Sequence, residues 1–530
     1  MLSILGSIRT HATTLNAGDV AIAGVNSSNP DGFSVVTLVN LDSGTQFTLT
    51  DKGWLSAGGF RTGEGTITYT APSDIRAGTI LTWVDAGGSN SAGFSYASEA
   101  AGGGTAIGLN KTGESLAVVA GGSSVVSGST SASSILWGVQ TYSTAWDADA
   151  ADSSTSARPG AISATFSPVI GVGSSGSGSQ FNNGAYSGVT TATDKSGWQT
   201  RIGTVSNSTT TKDPTLATLP TGSFNVISSL TWNASINTTW DTATTNKNFT
   251  DGTNTTWFNG SDNVAFGSSG VGTVAVAGGG VTAGTVSITN TSGNFSFSGG
   301  SLAGTSLAKS GNGTATIGNA ASFSSGASIS AGTLLVSGSL SGSVSVTGGT
   351  LGGSGVIGGA VSATTNGTIS PGSSPGKLTL QTGLDLSGGG TYLWQLGTLK
   401  DNSTGTAGTD FDQLSLTGGN LKLGGSSHLT LDFSLVANGP NSADPFWLSN
   451  HSWAIIAASG STNTGSTNFF QITNPTFADG SFATSTDSNG NATLQFQVVP
   501  EPQTWLTAFS GLSTLILFQR NRFRQSAKPR

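Results

Sequence analysis

The sequence predicts an all-β protein, and three observations carry that prediction. Gly fills 80 of the 530 positions, and Gly in a helix interior costs about 1 kcal/mol relative to Ala, which disfavours long helices. Charged residues make up only 8% of the chain and apolar residues 35%, whereas a disordered chain stays open through high charge and low hydrophobicity. Many of the apolar residues are Val, Ile, Leu and Phe that alternate with Ser and Thr at period two, the pattern of a strand with one buried face. The predicted architecture is an N-terminal β-sandwich, a right-handed parallel β-solenoid, a β-rich C-terminal region and a short C-terminal transmembrane helix. Pro, at 14 residues, is too sparse for collagen or polyproline. Cys is absent, which excludes a disulfide framework and thiolate metal sites.

Residues 1–14 read as the remnant of a leader. Met1–Ile8 is apolar but short, and Arg9 and His11 follow it instead of a basic region preceding it. The expectation is that this start lies inside a longer signal peptide.

Residues 15–226 read as a β-sandwich. Asp19–Val25 and Phe33–Val39 are strands joined by a polar turn over Asn26–Gly32, and Gln46–Thr50 and Gly65–Thr70 alternate so that each buries one face. The run GDVAIAGVNSSNPDGFSVVTLVNLDSGTQFTLTDKGW, followed by FRTGEGTITYTAP, resembles the lamin-tail-like β-sandwich module of bacterial surface proteins.

Residues 227–392 change texture. Trp232, Trp240 and Trp257 precede Asn263–Phe266, and between Asn263 and Gly376 Lys309 is the sole charged residue. A Gly-Thr step recurs at Gly313, Gly332, Gly349 and Gly367, with intervals of 19, 17 and 18 residues. Gly284 and Gly304 extend the rhythm less cleanly. A repeat near this length with short strands predicts a parallel solenoid, in which no rung buries its apolar face until the next stacks on it. Gly permits positive φ at the corners, and both ends need caps. The tryptophan-rich start and the more varied chain after Gly376 are the predicted caps. The tryptophan entry with NVAF, then ISAGTLLVSG, GGTLGGSGVIGGAV and GTISPGSSPGKLTL, resembles autotransporter-associated β-strand repeats. No membrane barrel pattern follows these repeats, a departure from complete autotransporters.

Residues 393–499 read as a further β region, with Asp410–Leu416 and Leu421–Leu423 strand-like. Asp487–Gly490 is a hairpin turn before the alternating Leu494, Phe496 and Val498.

Residues 500–530 predict location. Trp505, Leu506, Phe509, Leu512, Leu515, Ile516, Leu517 and Phe518 lie in an uncharged stretch. The seven Leu, Ile and Phe among them favour membrane insertion by about 3 kcal/mol in total. Fourteen helical residues reach about 21 Å, short of the ~30 Å hydrocarbon core, so insertion is marginal. Arg520, Arg522 and Arg524 follow and stay cytoplasmic by the positive-inside rule. Pro500, Glu501 and Pro502, then a short apolar helix, then an arginine cluster, resemble the PEP-CTERM sorting signal. That resemblance implies export in Gram-negative bacteria, brief anchoring in the inner membrane and processing by an exosortase. It also implies a final place on the outer surface or in an extracellular matrix, commonly with polysaccharide and biofilm. A plain C-terminal anchor is the simpler reading of the same residues.

Charge and chemistry point the same way. Without the five bases after position 518 and Glu501, 14 basic and 25 acidic residues remain, so the body is acidic and unsuited to nucleic acid. His occurs at 11, 428 and 451, and H-E-x-x-H is absent. G-x-G-x-x-G at Gly171–Gly176 and Gly353–Gly358 opens no helix, as phosphate binding would need. Asp147, Asp149 and Asp152 hint at calcium but lack the loop Gly at the sixth position, and a solvated acidic loop explains them. Asp19, Asp31, Asp51 and Glu64 could gather at loops of the first region; turn chemistry accounts for most, and Glu64 between two glycines is the one of interest. The three tryptophans could stack on sugars, although filling a cap is the plainer role. No catalytic residue, metal site or cofactor is expected. The functional expectation is an exported structural or adhesive surface protein with exosortase and extracellular polysaccharide as partners. A carbohydrate-binding surface protein is the alternative, and a glycan-active β-helix enzyme a further one.

Overall fold

The computed structural model describes residues 12–499 except 86–89, 97–106, 123–133, 161, 173–180, 373, 425, 437–438, 441–442, 459–461, 464–470, 474–479 and 488–489. It divides into two compact units. The first holds the chain to Asn237 with Thr242–Val264, and the second holds Thr238–Asp241 with everything from Ala265.

The first unit contains two five-stranded antiparallel sheets. One runs Ser208–Thr211, Asn183–Tyr186, Val20–Asn26, Gly32–Thr37, Ile80–Val84; the other runs Phe94–Tyr96, Thr66–Thr70, Gln46–Thr50, Glu114–Ala120, Ile135–Thr141. Both contribute to one apolar cluster. Phe33, Val35 and Trp83 come from the first sheet, and Phe47, Leu49, Tyr69, Val118 and Trp137 from the second. Phe33 stacks on Trp83 at 5.2 Å and Phe47 on Tyr69 at 4.9 Å, arrangements that add to simple area burial.

Alternation in Gln46–Thr50 and Thr66–Thr70 predicts one buried face, but both faces are covered: Thr48, Thr50, Thr66 and Thr68 are buried too. The reason is a second apolar cluster, in which Trp54, Phe60 and Ile162 pack with Ala117 and Val119 of the same sheet. The Thr48 and Thr68 hydroxyls share a hydrogen bond at 3.1 Å and the Thr50 hydroxyl donates to the Gly65 carbonyl at 2.8 Å, whereas the buried Thr66 hydroxyl has no such partner among the described residues. A nine-residue helix, Lys195–Gly203, is capped by Asp194, whose side chain accepts from the Gly197 amide at 2.8 Å. It buries Trp198 flat against Phe224, with ring centroids 4.4 Å apart.

From Ser229 the first unit adds a small antiparallel set, Ser229–Trp232, Phe249–Thr250 and Thr255–Thr256. Trp232 packs edge-on against Phe249 at 5.1 Å.

The second unit is built from three long parallel sheets, an arrangement consistent with a β-solenoid. Each rung gives one strand to each sheet. In one sheet Thr314, Thr333, Thr350, Thr368 and Thr391 stand in register, and beneath them Ala315, Leu334, Leu351, Ile369 and Tyr392 form the inward column. A second sheet stacks Val344, Val361, Leu384 and Leu421, and the third Leu340, Ile357, Leu380 and Leu416. Parallel pairing satisfies strand backbones between rungs while the inward columns supply the apolar core.

The Gly-Thr rhythm is this register. Gly332 and Gly349 have φ of +67° and +71°, the left-handed region that Gly occupies without strain. A Cβ on Gly349 would also collide with the Gly332 carbonyl oxygen one rung away. Gly284 and Gly304 fit less cleanly because they lie at another corner of the rungs, just before the paired strands Thr285–Ile288 and Ser306–Lys309.

Parallel stacking continues beyond residue 392. Thr391 is followed in register by His428 and Gln471, so the rungs lengthen to 37 and 43 residues. The first end of this unit is filled by Trp240, which is fully buried against Phe266 at 5.3 Å. At the other end the third sheet turns antiparallel through His451–Ala457, Ala492–Val498 and Gly480–Thr486. The hairpin predicted at Asp487–Gly490 is present, with the Gly490 amide donating to the Asp487 carbonyl at 3.1 Å.

Candidate functional site

Three arrangements concentrate polar chemistry. The first is a set of buried carboxylates in the first unit. Asp51 follows the strand Gln46–Thr50, and Glu114 opens the strand Glu114–Ala120 beside it. Three consecutive amides are held by three carboxylates: Gly108 donates to Asp51 at 2.9 Å, Leu109 to Asp31 at 2.8 Å and Asn110 to Glu114 at 3.2 Å. Burial pushes these carboxyls up, to about 6 for Asp31, about 7 for Asp51 and about 10 for Glu114. Glu64 adds repulsion to Asp51, and Asp51 to Glu114. Burial also raises Glu64, against the Gly53 amide and the charges of Arg61 and Lys52. The arrangement pins the segment after residue 107 to the sheet. Among the described residues, no group of three or more His, Asp and Glu is placed to hold a metal ion.

Sequence reasoning named Asp51 and Glu64 and missed Glu114. The signal was there: Glu114 shares the period-two face of Leu116 and Val118, both in the core.

The second arrangement is a cleft of about 310 Å³ in the first unit. Leu38, Val39, Ile227 and Leu230 line it together with Asp19, Asp194, Lys195, Asp251 and Asn254. Asp19 is buried and accepts from Lys195 Nζ at 2.8 Å and from the Asn16 amide at 2.6 Å. Asp194 caps the helix, and Asp251 accepts from the Thr253 and Asn254 amides. Asp19 and Asp31, considered together in the sequence, therefore serve different places.

The third lies in the second unit. Ser449 Oγ is 3.2 Å from His451 Nε2, and His451 Nδ1 is 3.0 Å from Asp401. This is the atom order of a serine nucleophile, base and orienting acid. The Phe446 carbonyl oxygen, however, is the nearest partner of Nε2. A carbonyl only accepts, so Nε2 carries a proton there and cannot take one from Ser449. His451 is stacked face to face on Phe446 at 3.6 Å, and the set is a structural bridge.

Other sequence-named residues have local roles. Asp152 accepts from the Ser154 amide and hydroxyl and the Thr155 hydroxyl, Asp149 from the Ser56 amide, and Asp147 from the Ser156 amide. Trp232, Trp240 and Trp257 are fully buried and serve as packing. Lys309 is buried in the second unit with its ammonium on the Gly311 and Ala331 carbonyls, and burial lowers its basicity. Pro500, Glu501, Pro502, the 505–518 segment and Arg520, Arg522 and Arg524 lie outside the described residues. Among those described, no helix is long and apolar enough to cross a membrane.

No family model matches the chain, and no curated protein matches it.

Proposed function

We propose that this chain is an exported structural and adhesive protein of the cell surface or extracellular matrix. In this reading a lamin-tail-like β-sandwich is followed by a right-handed β-solenoid of autotransporter-associated repeats. The tail after Val499 is a PEP-CTERM signal, anchored briefly in the inner membrane and processed by an exosortase. The observation that carries the reading is the stack of parallel rungs, whose strands between Asn263 and Gly376 present Ser, Thr and Gly outward and almost no charge. Such a surface is long and repetitive, and it suits contact with a polymer or a neighbouring cell. The test is to delete residues 500–530 in the native host and follow the protein by surface proteolysis and fractionation. Loss from the surface or matrix is expected; unchanged location would overturn the sorting assignment.

A carbohydrate-binding role for the first unit is the second reading. The cleft that combines an apolar floor with Asp, Asn and Lys side chains favours it.

A further inference from the structure

The cleft of the first unit has a charge pattern that specifies more than a generic polar ligand. Its lysine, Lys195, is committed to the buried Asp19 at 2.8 Å. That ion pair is internally neutral. Asp194 and Asp251 remain, each with one carboxylate oxygen engaged by a turn: Asp194 Oδ1 takes the Gly197 amide, and Asp251 Oδ1 the Thr253 and Asn254 amides. The cleft therefore keeps a net negative charge at its wall.

Hydroxyl and amide groups surround those charges, from Asn16, Ser196, Ser229, Thr253 and Asn254. The floor is aliphatic, through Leu38, Val39, Ile227 and Leu230. A ring with one apolar face, several hydroxyls and one cationic amine complements all three features. The cleft, at about 310 Å³, lies at the lower end of the roughly 300–1,000 Å³ range of small-ligand sites. That suits one or two sugar rings. A uronic acid would meet like charge, and an extended polyamine would leave the ring of hydroxyl groups unused.

We propose that this cleft binds amino-sugar units that carry a free amine, as in a de-N-acetylated hexosamine polymer. Asp194 and Asp251 receive the ammonium, the hydroxyl side chains receive the ring oxygens, and the aliphatic floor receives the apolar ring face. The assignment deepens the surface-protein reading and rests on it for the supply of glycan. Binding itself is a property of the purified chain, so it can fail while the location stands, and the reverse.

The experiment is calorimetric titration of the full chain with glucosamine dimers to tetramers. The comparison ligands are their N-acetylated forms, oligouronates and spermidine. The variant is D194N/D251N, which keeps a capping residue and a turn-forming residue in place. The expected result is saturable binding of the free-amine oligomers, weakened at least about tenfold by acetylation and by the double substitution. Circular dichroism and thermal unfolding of the variant should match the parent. Absence of binding by the free-amine oligomers would overturn the proposal. So would equal affinity for the acetylated forms, equal affinity for spermidine, or full binding by the correctly folded variant.

Discussion

In the first unit a strand finds partners both near and very far along the chain. Val20–Asn26 pairs with Gly32–Thr37 on one side and with Asn183–Tyr186 on the other. In the second unit the partner of a strand is one rung away, as Thr333 pairs with Thr350 and Thr350 with Thr368. Few charges serve both units, yet they differ in what each strand depends on. The first closes two sheets over a shared cluster, so removal of one element exposes the rest. The second repeats one local unit, and its stability is close to a sum of rungs and interfaces.

The sharpest way to break this comparison is deletion. Removing Thr333–Gly349 from the full chain excises one 17-residue rung and brings Thr350 into the register of Thr333. The parallel unit is expected to keep its sheets and its amide protection. Removing Gly32–Thr37 takes out a strand hydrogen-bonded on both sides. Peptides across the first unit are then expected to lose protection altogether while those of the second keep theirs. Hydrogen exchange with mass spectrometry reads both outcomes. Collapse of the parallel unit after rung excision would show that its rungs are not interchangeable.

The next effect is a slope with pH. Asp51 and Glu114 hold protons more tightly folded than unfolded, so their contribution is complete below the ordinary carboxylate range, near pH 4. It is lost as pH rises, by about 7 for Asp51 and toward about 10 for Glu114. The first unit should therefore be most stable in mild acid and lose a few kcal/mol, order of magnitude, by neutral pH. Asp51→Asn removes one titrating group and keeps an acceptor for the Gly108 amide. Its expected signature is a flatter pH profile and a higher unfolding temperature at pH 7.5. The second unit has a smaller set of this kind. Burial raises Asp412 to about 7 while the Gly376 and Gln395 amides oppose it, so its slope should be shallower. Equal slopes in the two units would remove the contrast.

Legibility in the sequence follows the same division. The parallel unit was readable because its repeat is local: the Gly-Thr spacing of 19, 17 and 18 residues is the strand register itself. Its continuation past residue 392 was harder to read, because the 37- and 43-residue rungs hide the period behind loops. In the first unit the strand positions were readable from alternation, but their partners were not. Nothing local to Val20–Asn26 announces Asn183–Tyr186. The covered second face of Gln46–Thr50 was missed for a related reason: Trp54 and Phe60 follow close behind it in the chain, but the cluster they form is completed by Ala117, Val119 and the distant Ile162. The cleft draws residues from Asn16 to Thr256, so only the folded chain assembles it.

The smallest effect compares one substitution at two threonines. Thr48 is fully buried, and its hydroxyl donates to the Gly121 carbonyl at 2.8 Å while sharing a hydrogen bond with Thr68. Thr48→Val keeps the shape but leaves those partners short of a bond, at a cost of about 1–2 kcal/mol. Thr350 stands half-buried on the outward column of its sheet, between Thr333 and Thr368. Thr350→Val suits a strand equally well and should change stability by less than about 0.5 kcal/mol. Urea-dependent exchange of peptides over each site separates the two within one protein. If the outward threonine proves as costly as the buried one, the column is a cooperative hydrogen-bonded ladder, and rungs are coupled more tightly than independent stacking implies.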